Sequence, residues 1–89
     1  MALRILSSPS ESGDVAADLE RAIADGIPGA RIEITPRSPG HFEIRVVSQA
    51  FADKGRVQQQ QLVYGSIAHL MKGDAAPVHA VDRLTTELP

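Results

Sequence analysis

Two short stretches in which apolar and polar residues alternate fix most of what this chain can become. Ala30-Arg31-Ile32-Glu33-Ile34-Thr35 and Phe42-Glu43-Ile44-Arg45-Val46 each read as a strand with one buried face. They are expected to pair as a hairpin. The connection Pro36-Arg37-Ser38-Pro39-Gly40 is longer than a tight turn and holds two prolines, so it should stand out as an exposed loop suited to contacting something else.

A hairpin with one apolar face needs a cover, and two helical patterns supply it. Ser8-Pro9-Ser10-Glu11 has the form of a capping box, and Val15, Leu19, Ala22 and Ile23 then recur at helical spacing until Gly26. Ser12 is a second possible cap, which leaves the helix start open by a turn; residues 1–8 are expected to form a loose tail. Pro28-Gly29 separates this helix from the first strand. After a turn through residues 48–55, the segment from Val57 to Met71 places Val63, Ile67, Leu70 and Met71 on one face, and Gly73 follows as a stop. Gly65 inside it costs up to ~1 kcal/mol against alanine and is expected either to break the helix or to admit a close backbone approach. Pro77 bars continuation, and Val78-His79-Ala80-Val81 reads as a third strand, with Val78 and Ala80 on one face and His79 and Val81 on the other. The order helix, strand, strand, helix, strand belongs to the α+β class, with helices on one face of a small mixed sheet. The chain reads as one domain over residues 1–89.

Composition narrows the function. At 89 residues and 43% hydrophobic content the chain can build one core. It has no cysteine, which fits a reducing cytosolic compartment and excludes thiolate nucleophiles, zinc fingers and a self-contained iron–sulfur site; any thiolate must come from a partner. The apolar run near Met1 is too short for a secretory signal, and no stretch approaches the ~20 apolar residues of a membrane span, so a cytoplasmic location is expected. Nine basic and eleven acidic residues give a net charge of −2, so nucleic-acid binding would need a local patch. Phosphate loops, dinucleotide fingerprints, nucleophile elbows and metalloprotease helices do not occur, which points to a binding domain rather than an enzyme.

The residues able to carry chemistry are few. His79, just after Pro77, is either a strand-end histidine bonded to a backbone carbonyl or a metal ligand, and spacing alone favours the first. His41, beside the exposed loop, is a solvated strand-start residue or a second ligand. His69 suggests packing or solvent contact only. Around Lys54, Gly55 and Arg56, the glutamines from Gln58 and Gln59 onward form a wet helix face whose amides could meet a nucleic-acid base, but two cations make a weak phosphate site. Tyr64, the sole tyrosine, is either an interface anchor or packed against the sheet.

The run Gly40-His41-Phe42-Glu43-Ile44-Arg45-Val46-Val47-Ser48, then Phe51, Arg56-Val57, Val63-Tyr64-Gly65 and Val78-His79-Ala80-Val81, resembles the BolA-like family, most closely its shorter bacterial members. The resemblance covers about residues 14–86. It implies a fold related to class II KH domains and a partnership with a monothiol glutaredoxin. In that pair a [2Fe–2S] cluster is shared, held by glutaredoxin and glutathione thiolates and by a BolA histidine that the match places at His79. Imidazole in place of thiolate lessens the negative charge on a cluster and tends to raise its potential, which suits iron–sulfur transfer or iron regulation. The resemblance also implies an alternative role, DNA binding as a transcription regulator, and leaves a homodimer open. Some members carry a second histidine or cysteine ligand in the first loop; here only His41 at its edge can substitute. Relatives often have basic residues after the position of Arg56 where this chain has glutamines, which weakens the DNA reading, and the family's C-terminal helix has no visible counterpart.

Overall fold

Helix α1 spans Ser12–Gly26 in the computed structural model, which describes residues 12–89. The expected capping box at Ser8–Glu11 and the tail over residues 1–8 lie outside the described residues. Leu19 and Ile23 are wholly buried, with Val15 and Ala22 beside them, so the apolar stripe read from the sequence is the face that packs. The helix ends at Gly26, and Ile27, also buried, closes its last turn by donating its N–H to the Ile23 carbonyl (2.7 Å).

Strands β1 (Arg31–Pro36) and β2 (His41–Val47) pair antiparallel, Ile32 opposite Val46 and Ile34 opposite Ile44. These residues, with Phe42, form the inner face of the sheet. Its outer face carries Glu33, Glu43 and Arg45. After β2, Ser48 caps a 3-10 turn (Gln49–Phe51) by accepting the Ala50 N–H on its hydroxyl (3.0 Å), which drives Phe51 into the core.

Helix α2 spans Arg56–Ile67 and passes into a 3-10 turn over Ala68–Leu70. The Gln58 side chain accepts the Gly55 N–H (3.2 Å), so the side chain three residues into the helix reaches back to its start. Val63 and Ile67 are wholly buried, while Leu70 and Met71 pack at the margin. The expected disturbance at Gly65 does not occur. A β-carbon there would meet nothing within 4 Å; the close approach lies instead at Gly26, where a β-carbon would stand 2.6 Å from that of Ser66. Gly26 is therefore the residue that lets α1 and α2 touch.

Strand β3 is Ala80–Glu87, later and longer than expected. Val78 is buried ahead of the strand rather than in it, and His79 is the last residue before the ladder. β3 runs parallel to β2 and completes a sheet of order β1-β2-β3. The ladder steps from Phe42 opposite Val81 to Glu43 opposite Arg83, so Asp82 is an extra residue at a bulge. Because the bulge adds one residue, Val81 and Leu84 lie on the same inner face although they are three apart. The two helices cover that face. On the outer face Arg45 joins all three strands through Glu33 (3.2 Å) and Glu87 (2.7 Å).

Candidate functional site

The loop between β1 and β2 is closed by its own backbone. The Arg37 N–H donates to the His41 carbonyl (2.9 Å) and the His41 N–H to the Ser38 carbonyl (2.8 Å), with Gly40 at a φ of +80°. That left-handed conformation is the one glycine adopts without strain. It turns the Gly40 carbonyl toward the chain arriving at β3, where it accepts the N–H groups of both His79 (2.8 Å) and Ala80 (3.1 Å). The parallel ladder thus starts at a glycine.

Gly40 also seats a side chain. A β-carbon on it would stand 2.6 Å from Nδ1 and 2.8 Å from Cγ of His79, so the bare α-carbon is what leaves room for this edge of the ring. The next nearest atom is Cβ of the same histidine, at 3.2 Å. His79 is exposed, and among the described residues its ring makes no hydrogen bond. The strand-end reading, a ring bonded to a backbone carbonyl, is therefore not what the structure contains: it is the main-chain N–H of His79 that makes that bond.

His41 lies on the same rim, opposite Ala80 in the ladder. Its Nδ1 is 2.9 Å from Oδ1 of Asp82, and both side chains are partly open to solvent, at 38% and 43%. Two imidazoles thus border one glycine, one seated on it and one held by a carboxylate. Nitrogen donors of this kind suit zinc, copper, nickel or iron. Among the described residues no cluster of three His, Asp or Glu forms a complete metal site, so a metal centre at this rim would need donors from another molecule.

A family model described as BolA-like protein matches residues 25–87, which include the loop, both histidines and the whole sheet. The chain belongs to the BolA-like family. No curated protein matches its sequence. Among solved structures, it is similar to a BolA protein homologue from Coxiella burnetii, with 26% identity, a TM-score of 0.66, and 82% of this chain and 88% of that chain covered. The BolA domain of SufE1 from Arabidopsis thaliana superposes with a TM-score of 0.75 at 21% identity, covering 89% of this chain and 96% of that one. BolA1 from Mus musculus gives a TM-score of 0.69 at 21% identity, with 100% of this chain and 76% of that chain covered. The last two likenesses speak for the fold.

The remaining sequence-derived candidates fall elsewhere on the BolA-like domain. Lys54, Gly55 and Arg56 precede and open α2, with the Lys54 ammonium beside Asp53 (3.3 Å). The amide oxygen of Gln58 is occupied by the Gly55 N–H. Gln59 Nε2 donates to the carbonyls of Phe51 (3.3 Å) and Lys54 (2.9 Å), and its Oε1 accepts the Thr86 hydroxyl proton (2.6 Å). That glutamine ties the turn before α2 to β3, so its amide is engaged within the fold. Tyr64 lies on α2 with 38% of its surface exposed, outside the buried core. His69 borders an open crevice between α1 and α2 with Asp18, Arg21 and Asp25. Asp82 was not legible as a site residue, because the bulge that aims it leaves no mark in an alternating pattern. Gly40 belongs to the family motif; its contact with His79 requires the fold. Among the described residues no helix is long and apolar enough to cross a membrane.

Proposed function

We propose that this BolA-like domain is a non-enzymatic adaptor that partners a monothiol glutaredoxin and shares a [2Fe–2S] cluster with it in iron–sulfur trafficking or iron homeostasis. The observation that supports this reading is the exposed His79 ring, seated on Gly40 with its ring nitrogens unengaged. The residues fit such a cargo as incomplete partners. His79 would supply one nitrogen donor and His41 a second; the chain has no thiolate, so sulfur donors must come from the glutaredoxin and glutathione. When shared, the cluster brings the electron-transfer and iron-exchange chemistry, and this chain contributes its position and its imidazoles. Tyr64 on α2 offers aromatic area for a partner surface.

Mixing the protein with a monothiol glutaredoxin, glutathione, iron and sulfide tests this. The visible circular dichroism of the cluster should change when the wild-type chain is added and stay unchanged with His79→Ala. A wild-type chain that leaves the spectrum unaltered while binding DNA with a steep salt dependence would replace the adaptor reading with the nucleic-acid one.

A further inference from the structure

Within that adaptor reading, on which this inference rests, we propose that Asp82 is the positioning residue for the second nitrogen donor: it holds His41 in the tautomer whose Nε2 keeps a free lone pair. The geometry carries the argument. An ionised carboxylate only accepts hydrogen bonds, so at 2.9 Å from Asp82 Oδ1 the His41 Nδ1 is the protonated nitrogen, and Nε2 of the neutral ring is the acceptor. Ligating histidines commonly show this arrangement, with one ring N–H held by a carboxylate, a carbonyl or water and the other nitrogen free for the metal.

The strand is built to supply that carboxylate. In a regular ladder Asp82 would stand opposite Glu43, setting two like charges together. The bulge puts Arg83 there instead and leaves Asp82 outside the pairing, able to reach His41. The neighbouring carboxylate does not compete, because Glu43 is held by Arg37 (2.9 Å). Nor does fastening the sheet account for the pair: backbone bonds already join β2 to β3, and exposed polar side-chain pairs add little stability.

Two measurements test the role on the intact 89-residue chain. In the protein alone, long-range ¹H–¹⁵N spectra should show His41 protonated at Nδ1, and Asp82→Ala should turn it to a tautomer mixture while the backbone spectrum away from the rim stays unchanged. In the mixture with glutaredoxin, glutathione, iron and sulfide, Asp82→Ala should lose cluster to a chelator faster than wild type, since losing the partner behind a ligating histidine typically costs about 10–100-fold in metal affinity, and Asp82→Glu should recover most of the difference. A wild-type His41 protonated at Nε2 overturns the proposal without any variant. Equal chelator rates for wild type and Asp82→Ala, with the wild-type dichroism present and lost in His79→Ala, overturn the role of Asp82 and leave the adaptor standing. Absence of any wild-type cluster signature removes the adaptor reading and this inference together.

Discussion

The imidazole of His79 rests on the bare α-carbon of Gly40, and the same glycine's carbonyl binds the His79 N–H at 2.8 Å. One residue in the first loop thus sets both the backbone and the ring of a residue at the start of the last strand. Substituting Gly40→Ala adds a β-carbon 2.6 Å from Nδ1 at a φ of +80°, a conformation that L side chains rarely adopt. A loss of about 1–3 kcal/mol in urea unfolding is expected, together with displaced His79 ring resonances. Unchanged His79 resonances in a folded Gly40→Ala protein would show that the glycine does not seat the ring.

The helix pair depends on a different glycine. Gly26→Ala would set a β-carbon 2.6 Å from that of Ser66, forcing the helices apart, and should cost about 1–3 kcal/mol. Gly65→Ala meets open space within α2 and should gain up to ~1 kcal/mol by helix propensity. Chemical denaturation of the two variants, which should move in opposite directions, checks both.

Phe51 is delivered to the core by a single 3-10 turn and is 1% exposed. Phe51→Ala should lower stability by about 3–5 kcal/mol, a large share of what a domain of this size possesses. Its midpoint in a thermal melt should fall well below that of Val57→Ala, whose side chain is 66% exposed.

Acid should loosen the outer face. The Arg45 hydrogen bond, chiefly, and then its charge hold the Glu87 carboxyl below its ordinary value of 4.5, while the carboxylate in turn raises Arg45. A depressed folded-state value means that the pair stabilises the fold above the ordinary carboxylate range and that this contribution disappears as pH falls from about 4.5 through the folded-state value. Both side chains are partly open to solvent, at 41% each, so the effect is screened by salt. Arg45→Gln should flatten the acid limb of the stability curve below the ordinary carboxylate value of 4.5, and added salt should flatten it in wild type.

The two alternating stretches and the helical stripe ending at Gly26 were readable because each element keeps a single period, so the core residues Leu19, Ile23, Ile44 and Val46 fall where the patterns put them. β3 is legible as a strand, but it starts two residues later and runs six residues further than the pattern Val78-His79-Ala80-Val81 gives, and the bulge explains why. Asp82 resets the phase of the strand, so Val81 and Leu84 share a face that strict alternation would split between two, and the pattern dissolves into charges and threonines. The histidines were legible as residue types with metal chemistry, and His79 was singled out by family resemblance; what held each ring depended on a contact between segments far apart in the chain. Gly65 was a reasonable suspect for a close approach on composition, but contact between helices is decided by which face turns inward, and that face belongs to Gly26.

Parallel pairing of β2 and β3 carries one more consequence. Strands running in the same direction begin at the same end of the sheet, so His41 and His79 sit together although all of α2 lies between them in the chain. Any guest that grips both rings would close that intervening stretch into a loop, with less to gain by unravelling. Amide protons of α2, far from the rim, should then exchange more slowly, and the guest would be felt as a clasp on the whole second half of the molecule.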